Sequence, residues 1–368
     1  MMAEVFDGFY RGSRILITGA YGFKGTWLSY WLRRMGADVC EYGHAPRWKD
    51  FASSHYKLLY PEGKWADKDT LNYANLRNTL CAYQPDLVFH FAAKSLVIEG
   101  INNPRETFEN NLMGAVNVMD ACRDSKVRGL VLVTTDKVYG DQNWIWGYRE
   151  NDILSGNDPY SASKIAIEHA VRCYQTNYFP MIAVARAGNV IGGGDWSDNR
   201  LIPDVVKAAS KNEAVIVNTP GATRPWQHVL EPLSGYLMLG KKLYEGKKEF
   251  ADVWNFGPQG EMTVMQVLEA AKAKWNTIRW NIQEVERHKG MVNLLKIDST
   301  KAHKELGWSC QWSQQAAVEI TIEWYRDYLC DKSVNTNEDI EHYEWLLKVA
   351  ASRDGMAAQA NKQDKWWD

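Results

Sequence analysis

Three glycines at a spacing of three residues, Gly19, Gly22 and Gly25, follow the apolar run Arg14–Thr18 and precede a segment with helical periodicity. A parallel strand that is buried on both faces has such a continuous apolar run. Glycines between a strand and a helix permit a tight turn, and they let a pyrophosphate approach the free N–H groups at the helix start. The pattern predicts a strand–turn–helix unit that binds a dinucleotide, and it favours this over a tight turn without a ligand.

Apolar runs alternate with segments of helical periodicity through the first half of the chain. The predicted strands are residues 14–18, 38–42, 86–93, 129–136 and 181–186, and the predicted helices are 22–35, 104–124 and 158–177. This alternation predicts an α/β fold with a Rossmann-like, doubly wound parallel sheet. After Asn189 the rhythm changes, although a late apolar segment at 251–257 is predicted to return to the sheet.

The change in the alternation of strands and helices after Asn189 predicts the domain organisation. We expect a dinucleotide-binding Rossmann domain from residues 1–187 and 227–258, and a smaller, discontinuous α/β lobe for the substrate from 188–226 and 259–330. The polar residues 331–368 are predicted to form a C-terminal extension, with one helix near 338–352 and a flexible tail from 353.

Composition excludes several classes of partner. The chain has 368 residues and a formal net charge of −2, so nothing favours binding to nucleic acid or to an anionic membrane. No apolar run approaches the roughly 20 residues of a spanning helix, and the first 14 residues lack the apolar core of a signal peptide. Six scattered cysteines without a Cys-x-x-Cys pair predict neither a metal site nor a disulfide framework. We therefore expect a cytoplasmic protein.

Tyr160 and Lys164 have the i, i+4 spacing that places two side chains on one face of a helix. A lysine there can lower the pKa of the tyrosine and hold a nicotinamide ribose, and the tyrosinate can then take the proton of an alcohol that is being oxidised. An exposed aromatic–lysine pair is the alternative. The pair begins a helix 23 residues after Lys137, the right distance for the next unit of the same sheet, which favours catalysis.

A polar string, Thr134–Thr135–Asp136–Lys137, follows another predicted strand. The carboxyl ends of parallel strands face the ligand crevice of a doubly wound sheet. A helix cap or turn would use the same residue types. Asp136 and Lys137 add an acid and a candidate base that simple alcohol oxidation does not need, so the string predicts a dehydration.

Together these strings resemble the extended short-chain dehydrogenase/reductase family and, within it, the sugar-nucleotide 4,6-dehydratases. The resemblance covers roughly residues 12–325 and is most detailed to the subgroup that acts on CDP-glucose. Three stretches carry that detail, residues 144–150, 186–203 and 224–236.

The resemblance implies NAD as the cofactor, a nucleotide sugar as the substrate, with CDP-glucose favoured, and a three-step reaction. Tyr160 takes the 4-hydroxyl proton while a hydride passes from C4 to NAD, with Thr135 bonded to the oxygen. Asp136 then protonates the departing 6-hydroxyl, and the hydride returns to C6. Lys137 either takes the C5 proton as a neutral amine, although its reference pKa is about 10.4, or remains charged and stabilises the enolate.

Other interpretations stay open. A 4,6-dehydratase of another nucleotide sugar, an NAD-dependent nucleotide-sugar 4-epimerase and a non-catalytic dinucleotide-binding scaffold share parts of the pattern. The resemblance also implies a homodimer or tetramer, built through the helices at 104–124 and 159–177.

Binding residues are carried over from the family by position. Those implied for the cofactor are Gly19, Gly22, Phe23, Gly25, Ala92, Ala93 and Lys94, together with Tyr160 and Lys164, and those implied for the substrate are Asn111, Asn189, Arg200 and Arg224.

The chain also departs from the family pattern. Lys94-Ser95 stand where the CDP-glucose enzymes carry Gln-Pro, and Gly63-Lys64 stand where an aspartate for the adenine is expected. The chemistry of the residues alone leaves the choice between NAD and NADP open.

Overall fold

A parallel six-stranded sheet forms the centre of the molecule. The computed structural model describes residues 4–44, 55–62, 67–140, 142, 144–283 and 296–363, with side chains up to residue 352. In the described residues the strands are β1 Arg14–Thr18, β2 Asp38–Tyr42, β3 Leu87–His90, β4 Gly129–Val133, β5 Ile182–Ala187, β6 Asn189–Ile191, β7 Ala214–Val217, β8 Thr223–Arg224, β9 Trp226–His228, β10 Val253–Phe256, β11 Met262–Thr263 and β12 Arg279–Ile282. The central sheet has the order β10-β5-β4-β3-β1-β2, and all its neighbours are parallel.

Helices cover both faces of this sheet. The helices are α1 Phe23–Arg34, α2 His55–Leu59, α3 Tyr73–Tyr83, α4 Val97–Asn102, α5 Pro104–Phe108, α6 Gly114–Asp124, α7 Pro159–Asn177, α8 Leu201–Ser210, α9 Leu230–Tyr244, α10 Val264–Lys274, α11 Gln314–Asp331 and α12 Thr336–Gln363. The predicted helix at 104–124 is continuous, but a π-helical segment, Glu109–Met113, joins α5 to α6. No helix among the described residues has the length and hydropathy needed to cross a bilayer.

Alternating side chains of the strands divide the core into two layers. Ile15 and Ile17 of β1 pack in one cluster with side chains of α1 and α9, whereas Leu16 packs in another with those of α3, α6 and α7. Successive side chains of a strand point to opposite faces, so a strand covered on both sides must be apolar throughout. The predicted Rossmann-like α/β fold class is confirmed, including the return of the late segment, which pairs as β10 with β5.

A third apolar cluster is built mostly from residues that follow β6. It joins side chains of α8, α10 and α11, among them Val206, Leu268 and Ile322. Three two-stranded pairs lie in this half of the chain: β6 with β9, β7 with β12 and β8 with β11. The exact division of the chain into two domains remains a prediction.

The C-terminal extension differs from the expectation of a polar appendage. Helix α12 runs to Gln363, beyond the predicted end near 352, and 364–368 lie outside the described residues. Ile340 and Tyr343 are fully buried in the core cluster of α1 and α9. The Trp31 indole N–H donates to Glu344 at 2.8 Å. The extension looks polar in sequence because only one narrow stripe of α12 is apolar, and that stripe is buried.

Candidate active site

A cavity of about 1010 Å³ opens at the carboxyl ends of the central strands. β1 pairs with β2 on one side and with β3 on the other, so the connections leave this point in opposite directions. Ligands of doubly wound sheets bind in the crevice outside such a switch point. The cavity is lined by the glycine turn, the residues after β4 and the start of α7. The start of α8, which belongs to the third apolar cluster, completes the lining.

The glycine turn leaves room for a ligand only where its backbone faces the cavity. A Cβ on Gly19, whose φ is +68°, would lie 2.7 Å from the backbone nitrogen of Ala92, and one on Gly25 would lie 2.2 Å from the Gly19 oxygen. Gly22 is exposed, and it caps α1 without a side-chain hydrogen bond. The first N–H groups of α1 are therefore available to an anion, and this cradle fits the pyrophosphate of a dinucleotide.

The predicted catalytic residues meet in this cavity. Thr135, Asp136 and Lys137 come directly after β4, and Tyr160 and Lys164 come from the first turns of α7. The Thr135 hydroxyl donates to Asp136 Oδ1 at 3.3 Å, and it also acts on the Tyr160 phenol, lowering the pKa of Tyr160. The sequence places these groups together because Asp158 caps α7 by accepting from the Ser161 N–H at 3.1 Å, which fixes the start of the helix.

The pKa values of the tyrosine–lysine pair are governed by burial. Burial raises the pKa of Tyr160 to about 12, against the opposing effect of Thr135. The predicted lowering by Lys164 is therefore not observed in this structure. The Lys164 ammonium donates to the Val133 carbonyl at 3.1 Å, and burial lowers the pKa of Lys164 to about 8.

Asp136 has the environment of a general acid. Asp136 is only 2% exposed, and among the described residues its Oδ2 has no hydrogen-bond partner. Burial raises the pKa of Asp136 to about 6, and the positive charge of Lys137 is the largest opposing influence. A carboxyl group with such a pKa carries its proton in roughly a tenth of molecules at pH 7, far more often than an ordinary aspartate does. Lys137 itself is exposed at the cavity.

Three of the four residues predicted to bind the substrate line the cavity. Asn189, Arg200 and Arg224 line the cavity. Arg200 is 3.5 Å from Asp195 Oδ2 and donates weakly to the Ser95 hydroxyl at 3.4 Å. Two guanidinium groups in the lining of one cavity suit a diphosphate, because their planar donors bind its oxygens in pairs.

Asn111, Ala92 and Lys94 do not line the cavity. Asn111, in the π-helical segment, accepts from the Lys94 N–H at 2.8 Å and donates to the Ser163 hydroxyl at 2.9 Å. It therefore ties the loop after β3 to α7. The Lys94 ammonium forms ion pairs with Glu99 at 2.8 Å and Glu106 at 2.7 Å, so it is directed to α4 and α5.

Two residues that sequence reasoning missed lie beside the glycine turn. Asp67 forms a parallel bridge with Gly43, directly after β2, and its carboxylate is 2.5 Å from His44 Nδ1. Lys24, in the first turn of α1, lines the cavity. No sequence signal singled out Asp67, and the position where an aspartate was expected, 63–64, lies outside the described residues.

Comparisons with known proteins agree with this geometry. A family model described as GDP-mannose 4,6 dehydratase matches residues 16–321. The chain is 36% identical to the CDP-glucose 4,6-dehydratase of Salmonella typhimurium, covering 87% of this chain and 92% of that protein. Its fold is similar to the UDP-glucose 4-epimerase of Thermotoga maritima (TM-score 0.75, 20% identity, 86% of this chain and 99% of that one). It is also similar to the NAD complex of dTDP-glucose 4,6-dehydratase from Bacillus anthracis (TM-score 0.71, 22% identity, 86% and 97%).

Proposed function

The chain belongs to the extended short-chain dehydrogenase/reductase family, among its sugar-nucleotide 4,6-dehydratases, and we propose that it converts CDP-glucose to CDP-4-keto-6-deoxy-glucose with NAD as cofactor. The main support for this reaction is that Tyr160, Lys164 and the protonatable Asp136 line one cavity. The substrate rests on the 36% identity to the Salmonella typhimurium enzyme over most of both chains.

The turn around Gly22 would hold the NAD pyrophosphate through backbone N–H groups. Asp67, which is bridged to Gly43 next to Gly19, would contact the adenosine. NAD, when bound, supplies a reversible two-electron oxidation. Tyr160 and Lys164 would contact the reacting end, since both line the cavity beside the residues that follow β4.

Tyr160 takes the proton from the 4-hydroxyl oxygen of the sugar. Burial opposes the tyrosinate that this step requires, so the step needs positive charge close to the phenol. In this structure the charge of Arg200 lowers the pKa of Tyr160, and Lys164 lies one helical turn later on the same helix face. Thr135, which lines the same cavity and lowers the pKa of Tyr160, would hold the same oxygen.

Asp136 delivers a proton to the departing 6-hydroxyl, which leaves as water. Its Oδ2 is free for this contact within the described structure, because Thr135 bonds only to Oδ1. The 4-ketone acidifies the proton on C5, and loss of that proton to water forms the C5–C6 double bond. We assign Lys137 the stabilisation of the enolate, because an ammonium that keeps its contact with water is not penalised for its charge.

We further propose that the protein is a homodimer or tetramer that pairs through α5, α6 and α7. Phe108 and Met113 lie on this helical run with exposed side chains. Exposed apolar groups on neighbouring turns are typical of a surface that another subunit covers.

The test is incubation of the purified protein with CDP-glucose and NAD, followed by the ultraviolet absorbance that a 4-keto-6-deoxy sugar develops in alkali. A signal with CDP-glucose and little with dTDP- or GDP-glucose is the expected result. A signal only with another nucleotide sugar would overturn the substrate and keep the reaction. Interconversion of 4-epimers without that absorbance would overturn the reaction.

A further inference from the structure

Lys24 is a cation of the cavity that the reaction described above does not use. It is the second residue of α1, inside the glycine turn, and it lines the same cavity as Asp136 and Arg200. Within the described part of the chain it has neither a hydrogen bond nor an ion pair. A lysine without a partner, beside the place where two anionic ligands meet, requires an explanation.

Four charged groups from four different segments face Lys24. Arg200, at the start of α8, and Lys164, on α7, repel its ammonium, while Asp136 and Asp195 attract it. Burial is the largest influence and the charge of Arg200 the second, and together they lower the pKa of Lys24 to about 7.

Of the two carboxylates that attract Lys24, Asp195 has other partners and Asp136 has another role. Asp195 is 3.5 Å from Arg200 and also accepts from the Ser197 N–H at 3.0 Å and the Ser197 hydroxyl at 2.6 Å. Asp136 serves the reaction as an acid, a form in which it has no charge to offer. The ammonium of Lys24 therefore lacks a committed counter-charge.

We propose that Lys24 is a further binding residue of this cavity, whose ammonium pairs with a diphosphate group of the bound ligands. A diphosphate brings at least two negative charges into a site where Lys24, Arg200 and Arg224 converge. The inference rests on the proposed function, because that function supplies two such groups, the pyrophosphate of NAD and the diphosphate of the nucleotide sugar.

Proton uptake follows from this pairing. A ligand that pairs with the ammonium stabilises the charged form of Lys24, so above about pH 7 a proton must be taken up when the ligand binds. Affinity for that ligand then decreases as the pH rises, beyond any change in the ligand itself.

The experiment is isothermal titration of the intact protein at pH 8 in two buffers of different ionisation enthalpy, once with NAD and once with CDP-glucose. The two arms distinguish which diphosphate Lys24 contacts. Lys24→Met removes the charge, Lys24→Arg keeps a charge that does not titrate, and Lys248→Met is the control for loss of a lysine far from the cavity.

We expect wild-type protein and the Lys248→Met control to take up protons with one of the two ligands. Lys24→Met should bind that ligand about tenfold more weakly, and Lys24→Arg should bind it well without proton uptake. If Lys24→Met does not fold, the loss of uptake in Lys24→Arg still carries the test. Unchanged affinity in Lys24→Met, or unchanged uptake in Lys24→Arg, overturns the inference alone. Binding of neither ligand by wild-type protein overturns the proposed function and this inference with it.

Discussion

Glu168 and Arg186 form an ion pair that is buried on both sides, with the Arg186 Nε 3.0 Å from Glu168 Oε1. Glu168 lies one helical turn after Lys164 on α7, and Arg186 is on β5. The same carboxylate accepts from the Thr134 hydroxyl at 2.9 Å. The pair therefore joins the helix that carries Tyr160 and Lys164 to the strand ends that carry the rest of the site.

Replacing Glu168 by Gln should lower the free energy of unfolding by about 3–5 kcal/mol, because it leaves a buried guanidinium without its counter-charge. Urea unfolding followed by circular dichroism measures this. The matched control is Lys247→Ala, which breaks an exposed pair with Glu245 and should leave the free energy of unfolding nearly unchanged. A loss below 1 kcal/mol in Glu168→Gln would mean that the pair does not hold the helix in place.

Replacing Asp136 by Asn should decrease kcat on the order of 100- to 10,000-fold, because the departing 6-hydroxyl then lacks its acid. Oxidation at C4 does not need this acid, so reduced NAD should accumulate in the first turnover and be visible by its absorbance. Burial raises the pKa of Asp136 to about 6, so kcat of the wild type should decrease as the pH rises through that value.

That decrease with pH should be absent in Asp136→Asn. Asp120→Asn, on α6 outside the cavity, is the control and should behave as wild type. The acid role would be wrong if Asp136→Asn kept more than a tenth of the wild-type kcat.

The sequence predicted the frame of this protein well, because a strand covered on both faces must be apolar throughout. For example, β1 was predicted at 14–18 from its apolar run and occupies Arg14–Thr18, buried from its second residue onward. The residues after β4 and at the start of α7 were predicted to meet because parallel strands share one carboxyl edge.

Long side chains were predicted less well, because their direction depends on partners that are distant in sequence. The Lys94 ammonium is directed to Glu99 and Glu106, and their positions follow only from how α4 and α5 pack. Lys24 was missed because the binding of a pyrophosphate was attributed to the backbone at the glycines of this turn, and the lysine side chain between them was not considered. The burial of Tyr343 could not be predicted from a sequence that is polar around it.

Replacing Lys94 by Met should change the KM for CDP-glucose and for NAD by less than about threefold. The ammonium pairs with Glu99 and Glu106 and lies outside the cavity lining, so no ligand contact is lost. Unfolding should become easier by at most about 1 kcal/mol, since the pairs are partly exposed. Steady-state kinetics with each ligand varied separately checks this. A tenfold rise in either KM would mean that Lys94 does contact a ligand, as the sequence suggested. Arg200→Met is the positive control: a rise in its KM for CDP-glucose shows that the assay detects the loss of such a contact.

Replacing Glu231 by Gln should remove part of the pH dependence of stability. The Glu231 carboxylate is buried and accepts from the Tyr343 hydroxyl at 2.7 Å and the Trp312 N–H at 2.8 Å, and burial raises its pKa to about 7. The folded state therefore binds a proton that the unfolded state releases near pH 4.5, so this group's stabilising contribution is complete below that pH and is lost as the pH rises to about 7. At 1.36 kcal/mol for each pKa unit the loss is about 3 kcal/mol.

Urea unfolding at pH 5 and at pH 7.5 should show this difference between wild type and Glu231→Gln, while Glu245→Gln, whose carboxylate is near the surface, should follow wild type. Parallel pH dependences in wild type and Glu231→Gln would mean that Glu231 stays ionised throughout, held by its hydrogen bonds.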